Sequence, residues 1–360
     1  MVLLKSSKTT LQTTMRTYTV KEKAKVIYNT VVDVFNWNRT SDCVTPLDLV
    51  RKQFEGVSSQ GKICIPGAGI GTYVLIALEK GFLPENITAV EIDSMYYELG
   101  SGMFNRLGVN YVHADFLTWE PNMKFDVVIG NPPYQETSGS GRKDQASNLW
   151  TKFWIKSLEL CGDDGYVSLI TPTSWLSPSA NLKGCYKYQG HSRLWDVFNS
   201  YTSVAQVTDV GTFFKGVGSS FGVVGVNKNG NKGLSFVEGY DTSLGFLPKS
   251  NTQEVINKLG GSTTLGSEFK VSQTPGSGWR VSVPLTRKVT ENSIEILQGE
   301  ELPSSGSLKP GLYLYVYVSS EAEATSVKGT LIPCVDLLNT YCRWSGFMNI
   351  KIFTMISHSK

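Results

Sequence analysis

From Lys62 onward the chain alternates short apolar runs with segments whose apolar residues recur every three or four positions. "KICIP" reads as a strand and "GTYVLIALEKG" as a helix closed by Gly81. "ITAVEID" is a second strand, "SMYYELGSGMFNRLG" a helix closed by Gly108, and "VNYVHADF" and "KFDVVIG" are further strands. After a Gly/Ser-rich stretch, "NLWTKFWIKSLELCG" reads as a helix with Leu149, Phe153, Ile155 or Lys156, and Leu160 near one face. "GYVSLIT" follows as another strand. Near-continuous apolar strands between helices indicate a parallel sheet covered on both faces. The expected architecture is a doubly wound, Rossmann-like α/β fold.

The pattern changes near Gly225. Beyond it, Gly, Ser, Thr and Asn punctuate short aromatic or β-branched segments such as "GLYLYVYV". This predicts a second, loop-rich, β-containing module. Two domains are expected, 1–235 and 236–360, and 360 residues suffice for a large domain with a smaller one.

Composition narrows the class. Hydrophobic content of 41% with eight Trp supports a packed core rather than disorder. The net charge of +3 is too small to argue for nucleic acid alone, but it is uneven: residues 136–235 carry ten Lys/Arg against seven acids, and 46–135 six against ten. A cationic groove beside a more acidic nucleotide-binding half fits this, as does an ordinary solvated surface. The six Cys form no Cys-x-x-Cys pair and the three His are scattered, so free thiols and no metal are expected. No apolar run reaches the roughly 18 residues of a membrane helix, and the start lacks a signal peptide's apolar core, which points to a cytoplasmic protein.

Four features carry chemistry. "PGAGIG" follows a strand and opens a helix, with Gly67, Gly69 and Gly71 where backbone can approach a ligand closely; such loops also serve structure alone. Twenty residues on, Glu91 ends the next strand, where an acid can accept both ribose hydroxyls of a nucleoside. Asp115 in "HADF" suits the exocyclic amine of an adenine ring, or else a turn or cap. "FDVVIGNPPYQ" stops a buried strand at Gly-Asn-Pro-Pro-Tyr. Asn-Pro is an ordinary turn, yet two locked φ angles can also aim one amide and one aromatic ring out of the sheet. The Gly-x-x-x-x-Gly-Lys-Ser/Thr phosphate loop is missing, which disfavours a nucleotide kinase or ATPase.

In this order the glycine loop, strand-end acid, "HADF", "IGNPPY" and "GYVSLITPTSWL" resemble the adenine-specific DNA methyltransferases dependent on S-adenosylmethionine. The resemblance runs from about Thr45 to Asn227. It implies that Thr45 and Pro46 pack against the methionine end of the cofactor and that Gly67, Gly69 and Gly71 lie beneath it. Glu91 would take the ribose and Asp115 the adenine. Ile65 stands where such enzymes usually carry an acid. The resemblance further implies double-stranded DNA as partner, a separate cognate restriction endonuclease as a possible companion, and 236–360 as the target recognition domain.

An exocyclic aromatic amine is a poor nucleophile because its lone pair is delocalised into the ring. The Asn131 side-chain carbonyl and the Pro132 backbone carbonyl can accept its two hydrogens, in bonds that strengthen as charge develops. A base inside a duplex must be flipped out to be reached. Tyr134 can stack on it, and Phe214 best matches the second stacking ring, with Phe213 and Phe221 nearby; these Phe can equally pack a sheet edge. The same amine-activating logic serves an RNA base or a protein glutamine, and a non-enzymatic binding module is a third reading. The segment after "GYVSLITPTSWL", well over a hundred residues, favours DNA over glutamine.

Overall fold

The computed structural model describes residues 19–35, 44–134, 149–177, 182, 187–207, 210–213, 221–240, 242–243, 245–247, 258–304, 311–340, 343–344 and 347–358. The chain forms two compact units, one from 1–133 and 156–169, the other from 134–155 and 170–360.

The first unit follows the alternation read from the sequence. Helices α1 (Val20–Phe35) and α2 (Leu47–Gln53) precede strand β1 (Ile63–Pro66) and helix α3 (Thr72–Lys80). Strand β2 (Ile87–Glu91), helix α4 (Ser94–Phe104) and strands β3 (Asn110–His113) and β4 (Phe125–Gly130) follow. With the first part of strand β5 (Cys161–Pro172) they form a parallel sheet in the order β3-β2-β1-β4-β5. Every residue of β1 and β2 is buried, as expected of strands covered on both faces. Gly81 and Gly108 adopt the left-handed conformation that ends each helical segment. Asp93 caps α4 by accepting from Met95 N and Tyr96 N.

Helix α5 (Leu149–Leu160) departs from the one-faced reading. Trp150, Thr151, Trp154, Ser157 and Leu158 are buried along with Phe153, Lys156 and Leu160, and only the stripe of Leu149, Lys152, Ile155 and Glu159 is less covered, so the buried face is wider than expected and leaves out Leu149 and Ile155. Lys156 survives burial through an ion pair with Glu120 (2.5 Å). Strand β5 starts at Cys161, earlier than its apolar run suggests, with a register shift against β4.

In the second unit, β6 (Thr202–Gln206) pairs antiparallel with β7 (Phe221–Asn227) and parallel with β8 (Gly233–Phe236). Beyond it lies an antiparallel sheet ordered β11-β10-β12-β9, with β9 Lys270–Ser272, β10 Arg280–Pro284, β11 Glu295–Leu297 and β12 Tyr313–Tyr317. Val281, Val283, Leu314 and Val316 of this sheet pack with Ala324, Val327 and Leu331 of the helix Glu321–Leu331. They belong to a core drawn entirely from residues 246–356. No helix among the described residues is long and apolar enough to cross a membrane.

Candidate active site

The site lies at the carboxyl ends of β1, β2 and β4, where an open α/β sheet presents its strand-to-helix turns. After Pro66 the backbone turns through Gly67 (φ 60°), Gly69 (φ 54°) and Gly71 (φ 96°) into α3. These glycines have different reasons to be glycine. A Cβ on Gly71 would sit 2.3 Å from the ring of Phe104, so this position serves packing. A Cβ on Gly69 would meet nothing within 4 Å, so its bare backbone faces open space.

Glu91, 6% exposed, sits behind the loop. Its Oε2 accepts from Gly69 N (2.7 Å) and its Oε1 from Asp93 N (2.8 Å). The next peptide is held by Tyr111, whose hydroxyl donates to Gly69 O (2.5 Å). Burial first, and then the charge of Glu91, push the Tyr111 phenol well above its ordinary range, so it remains a donor. The loop is therefore fixed before any ligand arrives.

Strand β4 delivers the second half of the site. Gly130 passes so close to β1 that a Cβ there would approach Pro66 O to 3.0 Å. The chain then leaves the sheet at Asn131, half-buried, and Pro132, buried. The Asn131 Nδ2 donates to Thr45 Oγ1 (3.0 Å), from the segment leading into α2. Thr45, Gly67, Gly69 and Asn131 line one pocket, together with Tyr73 and Tyr96.

Other expected site residues stand apart from that lining. Pro46 precedes α2 as its N-cap. Asp115 lies just past β3, where its Oδ1 accepts from Leu117 N (2.9 Å) and its carbonyl from Thr118 N and Trp119 N; it serves a turn. Ile65 is wholly buried in β1. Within the second unit, Tyr134 stacks on Phe221 (centroids 4.9 Å apart, planes at 27°), and Phe221 is 3% exposed. Phe214 lies outside the described residues. Sequence reasoning passed over Tyr73 and Tyr96, because each sits inside an apolar helical pattern that reads as core. It also passed over the solvent-facing Ile92 (62%) and Met95 (41%) just beyond Glu91, an apolar surface at a strand end.

Comparison with known proteins adds to this geometry. Residues 85–200 match the family model described as Eco57I restriction-modification methylase. The modification methylase CviBIII of Paramecium bursaria Chlorella virus NC1A is 30% identical over 115 residues, covering 30% of this chain and 30% of the viral protein. An uncharacterized adenine-specific methylase of Mycoplasma pneumoniae is 32% identical over 102 residues, 28% of this chain and 24% of that protein. The tRNA1(Val) (adenine(37)-N6)-methyltransferase of Flavobacteriaceae bacterium strain 3519-10 is 30% identical over 125 residues, 32% of this chain and 53% of its own. Among solved structures, the M protein of the type I restriction enzyme EcoKI aligns with 82% of this chain and 72% of its own at a TM-score of 0.40 and 14% identity. The chain spans only about a quarter to a third of the length of the curated relatives first matched.

S-adenosylmethionine is the cofactor the resemblance implies, and the residues present fit it. The open, latched backbone at Gly69 gives a ligand close approach, and Thr45, Tyr73 and Tyr96 wall the space beside it.

Proposed function

We propose that the protein is a site-specific DNA methyltransferase that methylates the exocyclic N6 amine of adenine. The observation that carries this reading is the placement of Asn131 on the same pocket as the Gly67–Gly71 loop. A methyl acceptor held by Asn131 is thereby beside the loop that holds the donor.

S-adenosylmethionine supplies an electrophilic methyl group. The chain's own residues prepare the acceptor. With Nδ2 committed to Thr45, the Asn131 Oδ1 is the end of the amide that accepts a hydrogen from the target amine, and the Pro132 carbonyl accepts the other. Both bonds gain strength as the nitrogen becomes positive, which lowers the barrier without a full deprotonation. Glu91 and Asp115 hold the nucleoside part of the cofactor through lone pairs their loop and turn contacts leave, and Ile92 and Met95 offer its adenine an apolar surface. Tyr134, backed by Phe221, is the shelf on which the flipped base stacks, worth about 1–3 kcal/mol per stack. Residues 236–360 read the target sequence, and the basic stretch 136–235 lines the DNA groove. The setting is a cytoplasmic modification enzyme, with a separate restriction endonuclease as its counterpart.

A second reading, an adenine methyltransferase of tRNA, is favoured by the similarity to the flavobacterial enzyme. Competition decides between them: duplex DNA and tRNA are offered together with labelled S-adenosylmethionine. Label in DNA adenine supports the proposal, and label confined to tRNA supports the alternative.

A further inference from the structure

Gln53 ends α2 inside the core of the first unit, 5% exposed. Its Oε1 accepts from the Tyr73 hydroxyl (2.8 Å). Its Nε2 donates to Ser168 O (2.9 Å) and lies 3.0 Å from Ser168 Oγ and 3.4 Å from Gly130 O. A backbone carbonyl can only accept, so Ser168 O decides which end of the amide faces the strands and leaves Oε1 for Tyr73.

We infer that Gln53 is a positioning residue for the Asn131 turn, a role that rests on the methyltransferase reading above. The pairing of β4 with β5 ends at Ile129↔Ser168 and Gly130↔Leu169, and Asn131 is the next residue. Gln53 meets a carbonyl from each strand at that end, Ser168 O on β5 and Gly130 O on β4. It holds the last carbonyl of β4 where the chain leaves the sheet, and a rotation of that peptide moves the Cα from which the Asn131 amide projects. The same side chain grips Tyr73, which lines the pocket with Asn131. At the other end of α2, Thr45 accepts from Asn131 Nδ2. The segment from Thr45 to Gln53, helix α2 and the two residues before it, thus fixes the Asn131 amide from two sides, its side chain through Thr45 and its backbone through Gln53. An aliphatic residue would fill the same buried space, but would give the turn no direction.

The test is a double-mutant cycle in the full chain between Gln53→Leu and Asn131→Ala, with turnover measured on duplex DNA and S-adenosylmethionine affinity by calorimetry. Gln53→Leu is expected to lower kcat about 10- to 30-fold, while cofactor Kd moves less than about threefold. In the Asn131→Ala background the same substitution should lower the residual kcat less than about twofold, since a positioning effect requires the positioned group. Additive losses, or unchanged turnover in Gln53→Leu, overturn the role. If Gln53→Leu does not fold, Tyr73→Phe carries the same cycle by removing one bond without opening a cavity.

A second readout is independent of activity. The Asn131 side-chain resonance in asparagine-labelled protein, assigned by its loss in Asn131→Ala, should shift in Gln53→Leu. A wild-type chain that methylates nothing but shows this shift refutes the methyltransferase reading and supports the positioning role. An unmoved resonance overturns the positioning role even where the wild type is active.

Discussion

Asn131 Nδ2 donates to Thr45 Oγ1 at 3.0 Å, joining residues 86 positions apart in sequence. The segment whose resemblance points only to cofactor packing therefore also supports the Asn131 amide. Thr45→Val keeps the shape and removes the hydroxyl. It should lower turnover about tenfold, the scale of roughly 1.4 kcal/mol and of one lost hydrogen bond. Thr45→Ser should restore most of it. Steady-state kinetics with both variants checks this; an equal loss in both would place the effect in the methyl group instead.

The glycine loop separates packing from ligand approach. Gly71→Ala places a Cβ into Phe104 at a left-handed φ, and should cost about 1–3 kcal/mol of stability, measured by urea unfolding. Gly69→Ala meets no neighbour in the protein, so its stability loss should be about 1 kcal/mol while S-adenosylmethionine binding falls at least tenfold by calorimetry. Glu91→Ala strips Gly69 N and Asp93 N of their acceptor and should weaken binding by about 1–3 kcal/mol.

Alkaline pH should loosen the loop through Tyr111. Its phenol is raised in the folded state, so its contribution to stability is complete below the unfolded value near 10. Above that pH the unfolded chain releases the proton first, and stability falls as pH rises toward the folded value. Unfolding midpoints between pH 9 and 11 should fall less steeply in Tyr111→Phe than in the wild type.

The aromatic shelf gives a further check. Phe221→Ala removes the ring beneath Tyr134 and should weaken capture of a flipped base by about 1–3 kcal/mol. Fluorescence of 2-aminopurine at the target position reports it, rising when the base leaves the stack. An undiminished signal would make Phe221 a packing residue only.

The doubly wound sheet was legible because its strands are buried on both faces and its helices close on Gly81 and Gly108. Local signals of that kind survive without tertiary knowledge. The pocket was legible in part, through Gly67, Gly69, Thr45 and Asn131. Contacts set by folding escaped: nothing in the sequence shows that Glu91 also latches Gly69 or that the ring against Tyr134 is Phe221, and Asp115 was legible as a turn residue only as one of two readings. Gln53 escaped for the same reason, since a single amide in "LVRKQFEG" gains meaning only when β4 and β5 end beside it. The wide burial of α5 was obscured by Thr151, Lys156 and Ser157, polar residues that read as solvated but are buried.

Adenine methylation of DNA is tested by incubating the protein with S-adenosylmethionine and unmethylated duplex DNA, then digesting the DNA and measuring N6-methyladenine by mass spectrometry. N6-methyladenine at a defined sequence is expected with the wild type, and a turnover about 10² to 10³ lower with Asn131→Ala at nearly unchanged cofactor affinity. DNA free of N6-methyladenine, or full activity in Asn131→Ala, would contradict this expectation.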